Sequence, residues 1–171
     1  MTTTAPHLGP GRPDAPDSPG ELLRRTLRQH AAGVTVITVP GPAGFTATSF
    51  TSVSLAPALV SFCLGRVAST LPAVTAASHF AVHLLRAEDA ELARLFARSG
   101  ADRFSSVSWS PTTEGVPLLH SVPGRLTARV VERQWLGDHL QVVGRLQDAT
   151  GAGPDSALVH HGGAFRTVRP L

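Results

Sequence analysis

Two long stretches of alternating residues, joined by a Gly-Asp turn, constrain the fold of this chain more than any other feature. Apolar residues occupy every second position through much of residues 125–135 and again through residues 139–147. A period of two is typical of β-strands, and Gly137-Asp138 between the stretches predicts a tight hairpin. We therefore expect a mostly β protein, an antiparallel barrel with flanking helices outside it.

Shorter segments fill in the rest of the predicted fold. Ser18-Pro19-Gly20-Glu21 is a capping box that begins a helix, which we expect to end at Gly33. Two further helices are predicted at 71–77 and 88–98, and residues 101–123 are expected to be irregular. Further strands are predicted at 34–39, 45–55, 59–64, 80–85, 157–161 and 164–168. Residues 1–17 contain four prolines and are predicted to be a disordered tail before a single domain of residues 18–171.

The composition excludes several kinds of chemistry. The chain has 171 residues, 42% of them hydrophobic and 16% charged, which suits one folded domain. Its fifteen basic residues are all arginines and are scattered. There is therefore no lysine for a Schiff base and no clustered cationic surface for nucleic acid. Cys63 is the single cysteine and fits a reducing cytoplasm. With neither a secretory signal nor an apolar run of about 18 residues, we expect a cytoplasmic protein without a membrane partner.

Residues 44–55, GFTATSFTSVSL, are unusually rich in hydroxyl side chains. As one continuous strand, they would place Thr48 and Phe50 on one face and Ser49 and Thr51 on the other. Both faces mix hydroxyl and apolar groups, which suits a planar, uncharged ligand with hydrogen-bond acceptors. A solvated edge strand is the alternative explanation of the same pattern.

Several isolated motifs each allow two interpretations. Ser69 and Thr70 begin a helix, where they could bind phosphate or serve only as a cap. His139 follows the Gly-Asp turn and is either a site residue or a surface histidine. Cys63 has no evident neighbouring base and is expected to be a small buried residue. His79 and His83 would lie about 13 Å apart on a strand, so we predict no metal site.

Taken together, these segments resemble the short-chain flavin reductase family, the FMN-binding split-barrel proteins that serve two-component monooxygenases. The resemblance runs from about residue 21 to residue 168. The matching segments are HAAGVTVIT (30–38), GFTATSFTSVSL (44–55), LVSFCL (59–64), Ser69-Thr70, HFAVHLL (79–85), Phe96-Ala97, Asp102-Arg103-Phe104, Gly137-Asp138-His139 and His161-Gly162.

The resemblance implies a fold, a reaction and a set of contacts. It implies a homodimeric antiparallel split barrel that uses NADH or NADPH to reduce FMN or FAD for a partner oxygenase. Thr48, Ser49, Phe50 and Thr51 would contact the flavin ring, beside Cys63. Ser69 and Thr70 would hold its phosphate, and Arg103-Phe104 would close that side. His139 would lie near the nicotinamide as the catalytic residue, and His161 near the C-terminal strand.

The chain departs from the family pattern at several positions. Thr48 and His83 replace the usual asparagines, His160 replaces a tyrosine, and Ala56-Pro57-Ala58 replaces Asp-Pro-Pro. Besides a reductase that releases reduced flavin, two functions therefore stay open. One is an enzyme that retains its flavin and acts on an organic substrate, and the other is a non-catalytic flavin-binding module.

Overall fold

This computed structural model describes residues 18–151 and 156–168, which contain three α-helices and twelve strands besides a short 3₁₀ helix (Ala87–Asp89) and the connecting loops. The predicted tail, residues 1–17, lies outside these ranges. The helices are α1 (Pro19–Leu27), α2 (Leu71–Ala76) and α3 (Ala90–Ala97). The strands are β1 (Ala32–Gly33), β2 (Thr35–Val39), β3 (Ala43–Ala47), β4 (Thr51–Leu55), β5 (Ala58–Gly65), β6 (His79–Leu84), β7 (Trp109–Pro111), β8 (Pro117–Leu119), β9 (Arg125–Leu136), β10 (His139–Thr150), β11 (Leu158–His161) and β12 (Ala164–Thr167).

Seven strands form the main sheet, in the order β3-β2-β6-β9-β10-β5-β4, and every neighbouring pair is antiparallel. The predicted hairpin is confirmed as β9 and β10, with His139 paired to Leu136 across a turn in which Gly137 has a φ of 59°. Both strands extend beyond the predicted ends. The mostly β, antiparallel prediction is therefore confirmed.

The hydroxyl-rich stretch is not the single strand predicted from its pattern. It forms β3 and β4, which occupy opposite edges of the main sheet, and residues 48–50 cross between them. At this crossing the Ser49 hydroxyl donates to the Cys63 carbonyl at 3.0 Å and accepts from the Cys63 backbone nitrogen at 2.9 Å. The alternation of faces predicted across residues 45–55 is wrong beyond Ala47, because the crossing segment leaves the sheet.

Helix α1 has the predicted start and a different end. The Ser18 hydroxyl accepts from the Glu21 backbone nitrogen at 3.3 Å, and the Glu21 carboxylate accepts from that of Ser18 at 2.8 Å, which completes the capping box. The helix ends at Leu27 instead of Gly33. Ala32 is instead paired with His160 in a small second sheet, β1-β11-β12, so strand pairing replaces the last predicted turn.

A third small sheet lies where no regular structure was predicted. Strands β7 and β8 pair within residues 101–123, and His83 anchors them to the main sheet. The His83 side chain is fully buried; its Nε2 accepts from the Leu119 backbone nitrogen at 3.0 Å, so its Nδ1 donates to the Val36 carbonyl at 3.2 Å. Burial lowers the pKa of His83 to about 4, so the ring is neutral near pH 7.

The main core is formed by side chains of the seven-stranded sheet together with Val74 of α2. The rings of Phe45, Phe62 and Phe80 are packed edge to face, with centroids 5.7 and 5.1 Å apart. Gly144 lets β10 approach this trio, because a Cβ at that position would overlap the Phe80 ring. These contacts pack β3, β5 and β10, which all contribute lining residues to the candidate site, against one another.

Candidate functional site

Three adjoining hollows form one groove along the side of the sheet. The first, the His139 hollow, has a volume of 240 Å³ and is lined by Thr48, Cys63 and His139 among others. The middle hollow, of 280 Å³, shares Thr46 with it. The Arg103 hollow, of 380 Å³, shares its Arg103 lining with the middle one. Through these shared lining residues the groove extends from the start of β10 to the loop after α3.

The His139 ring has a fixed orientation at one end of this groove. Its Nδ1 lies 2.7 Å from an Asp138 carboxylate oxygen. That hydrogen bond is the largest cause of the lowered pKa of the Asp138 carboxyl, which is therefore an anion that accepts the Nδ1 proton. The pairing partner of His139 is Gly65, where an added Cβ would lie 3.6 Å from Nε2. A side chain at position 65 would therefore be in van der Waals contact with the Nε2 edge of the ring, and both residues line the hollow.

The rest of the His139 hollow is uncharged. The Ser49 hydroxyl is committed to the Cys63 backbone, so Ser49 shapes the hollow without offering its hydroxyl to a ligand. Partial burial raises the pKa of the Cys63 thiol, which keeps it protonated near pH 7 and a poor nucleophile. This end of the groove thus presents neutral polar and apolar groups beside a single imidazole.

Two free hydroxyls lie between the middle and Arg103 hollows. Thr70 occupies the position before α2, yet its side chain makes no capping hydrogen bond. Neither the Ser69 nor the Thr70 hydroxyl has a hydrogen-bond partner within the two described ranges. Thr70 is 6% exposed. A simple helix cap therefore does not explain these two side chains, which are available to an anion in the groove.

Arg103 brings a cation to the same place. Its Nη2 donates to the Arg98 carbonyl, while its Nε is buried and has no partner among the residues described. The loop that carries it is held by the Asp102 carboxylate, which accepts from the backbone nitrogens of Phe104 and Ser105, both at 3.2 Å. A buried donor without an acceptor is costly, and an anionic oxygen would satisfy it. Ser69, Thr70 and Arg103 together fit a phosphate group.

Phe104 is fixed at the edge of the Arg103 hollow by other aromatic rings. Its ring meets those of Phe96 and Trp109 edge to face, with centroids 5.3 and 5.6 Å away. Phe104 therefore helps to set the width of the groove at this end, and the contact with the flavin that the family resemblance implies for it stays a prediction.

Three of the residues singled out from the sequence do not line the groove. Phe50 packs against the main core, and the exposed Thr51 donates its hydroxyl to the Ser52 carbonyl at 3.2 Å. His161 is on β11, paired with Ala164. Their contacts with a flavin stay predictions. Two residues of the site were not predicted from the sequence. Gly65 lines the groove, and Asp138 orients the His139 ring. Only the strand register, which pairs Gly65 with His139, would have identified Gly65.

Two further features concern ligands and membranes. Within residues 18–151 and 156–168, no three His, Cys, Asp or Glu side chains are grouped as a metal ion would require. In the same ranges, none of the helices has the length and apolar character needed to cross a membrane.

Known proteins resemble this chain over most of its length. The flavin reductase like domain family matches residues 27–169. An NADH:FMN oxidoreductase of Rhodococcus erythropolis is 40% identical over 159 residues, which cover 86% of this chain and 81% of that protein. The family resemblance inferred from the sequence is thereby confirmed.

Solved structures give the same result for the fold. The NADH:FAD oxidoreductase of Streptomyces globisporus C-1027, in complex with NAD and FAD fragments, has a TM-score of 0.80 at 38% identity and covers 86% of this chain and 92% of its own. The flavin reductase component of a bacterial two-component tryptophan halogenase has a TM-score of 0.80 at 33% identity, and the match covers 89% of this chain and 99% of that one. These likenesses confirm the predicted split-barrel type of fold.

Proposed function

This chain belongs to the flavin reductase like domain family, and we propose that its groove binds the flavin along its length, with the nicotinamide entering beside His139. The protein is an NAD(P)H:flavin oxidoreductase. It transfers a hydride from NADH or NADPH to FMN or FAD and supplies the reduced flavin to a separate flavin-dependent oxygenase. The continuity of the groove between the His139 and Arg103 hollows carries this assignment of residues.

The chemistry of the two ends fits the two ends of a flavin. The Arg103 hollow offers a guanidinium whose buried Nε has no partner among the described residues, together with the hydroxyls of Ser69 and Thr70. The Asp102 carboxylate also lines this hollow but already accepts from the backbone nitrogens of Phe104 and Ser105, so the other groups suit a phosphate. The His139 hollow is uncharged apart from the imidazole and suits a planar ring with polar edges. The order of these groups along the groove gives the flavin one direction of binding.

The protein's own residues bind and orient, and they need not react. When bound, the flavin supplies the redox chemistry by accepting a hydride from the nicotinamide. Asp138 holds the Nδ1 proton of His139, which leaves Nε2 to face the hollow and to accept a hydrogen bond from the nicotinamide amide. Because the Cys63 thiol stays protonated, it contributes a neutral wall.

A homodimer in the cytoplasm completes the proposal. Apolar side chains remain exposed on α1 and on the edge strand β4, where Leu23 is 60% and Leu55 91% exposed, and a second copy of the chain would cover them.

The proposed location is the cytoplasm, because the pyridine nucleotide substrates and the unpaired Cys63 thiol both suit a reducing compartment. The proposed dimer has a direct test. Light scattering on the purified protein should give twice the chain mass, and a monomer would overturn the dimer.

The first test follows absorbance at 340 nm with purified protein and NADH or NADPH, with and without FMN or FAD. We expect NADH consumption that depends on added flavin, and the rates rank the two flavins and the two nucleotides. A protein that stays yellow through purification and does not consume NADH when flavin is added would contradict the release of reduced flavin. That result would favour a retained flavin acting on an organic substrate or a binding module.

A further inference from the structure

An arginine and a tryptophan are stacked next to the turn that joins β9 to β10 and precedes His139. The guanidinium carbon of Arg66 lies 4.2 Å from the ring centroid of Trp135. Arg66 follows Gly65, the pairing partner of His139, and its backbone nitrogen donates to the Asp138 carbonyl at 2.9 Å. Both side chains are exposed, Trp135 by 44%. The pair is therefore joined to the segment that carries His139, but it does not line the groove itself.

The charge of Arg66 is not neutralised by a direct ion pair. Within the described part of the chain, no carboxylate lies within ion-pairing distance of its guanidinium. The nearby Asp138 carboxylate accepts a hydrogen bond from His139, and the charge of Arg66 further lowers the pKa of this carboxyl, so Arg66 and Asp138 attract each other without forming a direct ion pair. Stacking on Trp135 restricts the long side chain before any ligand arrives, so less conformational entropy is lost on binding. Arg66 is thus a pre-positioned cation next to Gly65, which pairs with His139 and lines the His139 hollow.

We propose that Arg66, held on Trp135, binds the pyrophosphate of the pyridine nucleotide whose nicotinamide lies at His139. This inference rests on the proposed function. A pyridine dinucleotide carries its two pyrophosphate charges one ribose away from the nicotinamide. A cation carried by the residue after Gly65, which lines the His139 hollow, would meet those charges one ribose beyond the nicotinamide, and a planar guanidinium matches phosphate oxygens well.

The position of Arg66 also separates this role from flavin binding. The groups that fit the flavin phosphate, Ser69, Thr70 and Arg103, line the two other hollows, whereas Arg66 adjoins the turn of His139. A competing explanation is that Arg66 and Trp135 only brace the turn. A brace would act through the position of His139, so its loss would weaken every nicotinamide substrate equally.

The test compares two substrates in Arg66→Ala. NADH carries the pyrophosphate, and dihydronicotinamide riboside carries no phosphate at all. We expect the KM for NADH to rise about tenfold, the effect of one charge-assisted contact, while kcat and the KM for the riboside stay unchanged. Trp135→Leu should raise the KM for NADH by a smaller factor. Arg145→Ala removes the same charge from an exposed arginine at the Leu59 end of β10 and should change neither KM.

A binding measurement supplements the kinetics. The flavin-free protein is titrated with NADH, and binding is followed by the fluorescence of the protein. The Kd for NADH should rise in Arg66→Ala by the same factor as the KM. The difference between wild type and variant should shrink as salt is added, because screening weakens exposed charge contacts.

Several outcomes would overturn the role of Arg66. An equal loss with NADH and the riboside would make it a brace, and a raised KM for FMN or FAD would assign it to the flavin. Unchanged constants for Arg66→Ala would remove it from binding altogether. If the wild-type protein showed no flavin-dependent NADH oxidation, the proposed function would fail, and the flavin-free titration would still decide whether Arg66 binds the nucleotide.

Discussion

The imidazole of His83 joins two sheets by accepting a hydrogen bond from the backbone nitrogen of Leu119 at 3.0 Å. The ring can accept it only while Nε2 is unprotonated. Burial is the largest cause of the lowered pKa of His83, about 4 in the folded protein against an ordinary 6.5. The charge of Arg125 lowers it further, and the bond to the Val36 carbonyl opposes this.

Folding stability should therefore depend on pH below 6.5. Between pH 6.5 and 4 the unfolded chain binds a proton at His83 that the folded chain does not, so the free energy of unfolding falls as the pH falls. The expected loss is about 1.4 kcal/mol per pH unit, on the order of 3 kcal/mol in all, and His83 adds no pH dependence above 6.5. Urea unfolding at several pH values measures it.

A substitution isolates the contribution of this one histidine. His83→Asn, the residue usual at this position in the family, removes the titrating group and should flatten the stability profile between pH 6.5 and 4. His30→Asn, at an exposed histidine, is the matched control and should keep the wild-type slope. An identical slope in His83→Asn and the wild type would contradict the assignment.

Arg103 should contribute to the binding of flavins that carry a phosphate. In Arg103→Met the Kd for FMN should rise about ten- to a hundredfold, because a charge-assisted hydrogen bond is lost. Riboflavin, which has no phosphate, should bind both proteins equally. Arg98→Met removes a neighbouring exposed charge and serves as the control. A loss of riboflavin affinity equal to that of FMN would show that Arg103 only shapes the groove.

Ser69 and Thr70 should be needed for flavin binding and not for folding. A helix-capping side chain replaced by Ala usually costs about 1 kcal/mol, but neither hydroxyl caps α2. The double variant Ser69→Ala with Thr70→Ala should therefore keep the wild-type free energy of unfolding while its Kd for FMN rises. Urea unfolding and a fluorescence titration measure the two quantities. A destabilised variant with unchanged FMN affinity would show that Ser69 and Thr70 stabilise the fold and do not bind the flavin.

Local chemistry made much of the fold predictable. The Ser18–Glu21 capping box and the Gly137-Asp138 turn act within a few residues, so their sequence signals survive in any tertiary context. The crossing at Ser49 depends on a partner fourteen residues away, and the strand pairing of Ala32, within the predicted helix, depends on His160. Long-range pairings of this kind are not visible in a local pattern.

The candidate site was predictable to a smaller degree. Family resemblance pointed to Ser69, Thr70, Arg103 and His139, and the structure places all four along one groove. The uncapped Thr70 hydroxyl and the unpartnered Arg103 Nε follow only from the packing of residues that are distant in sequence. Gly65 was not predicted, because its role comes from its place opposite His139, where a side chain would contact the imidazole.

His139 should act on the nicotinamide and not on the flavin. Its ring lines the hollow and its Nδ1 is bonded to Asp138, so under the proposed function His139→Ala removes one hydrogen bond, from Nε2, at the nicotinamide end. The KM for NADH should rise about three- to tenfold and the flavin KM much less. Asp138→Asn, which replaces the carboxylate that fixes the Nδ1 proton, should shift the KM for NADH in the same direction by a smaller factor. Steady-state kinetics with each substrate varied in turn measures both constants, and a larger effect on the flavin KM would move His139 to the flavin side of the site.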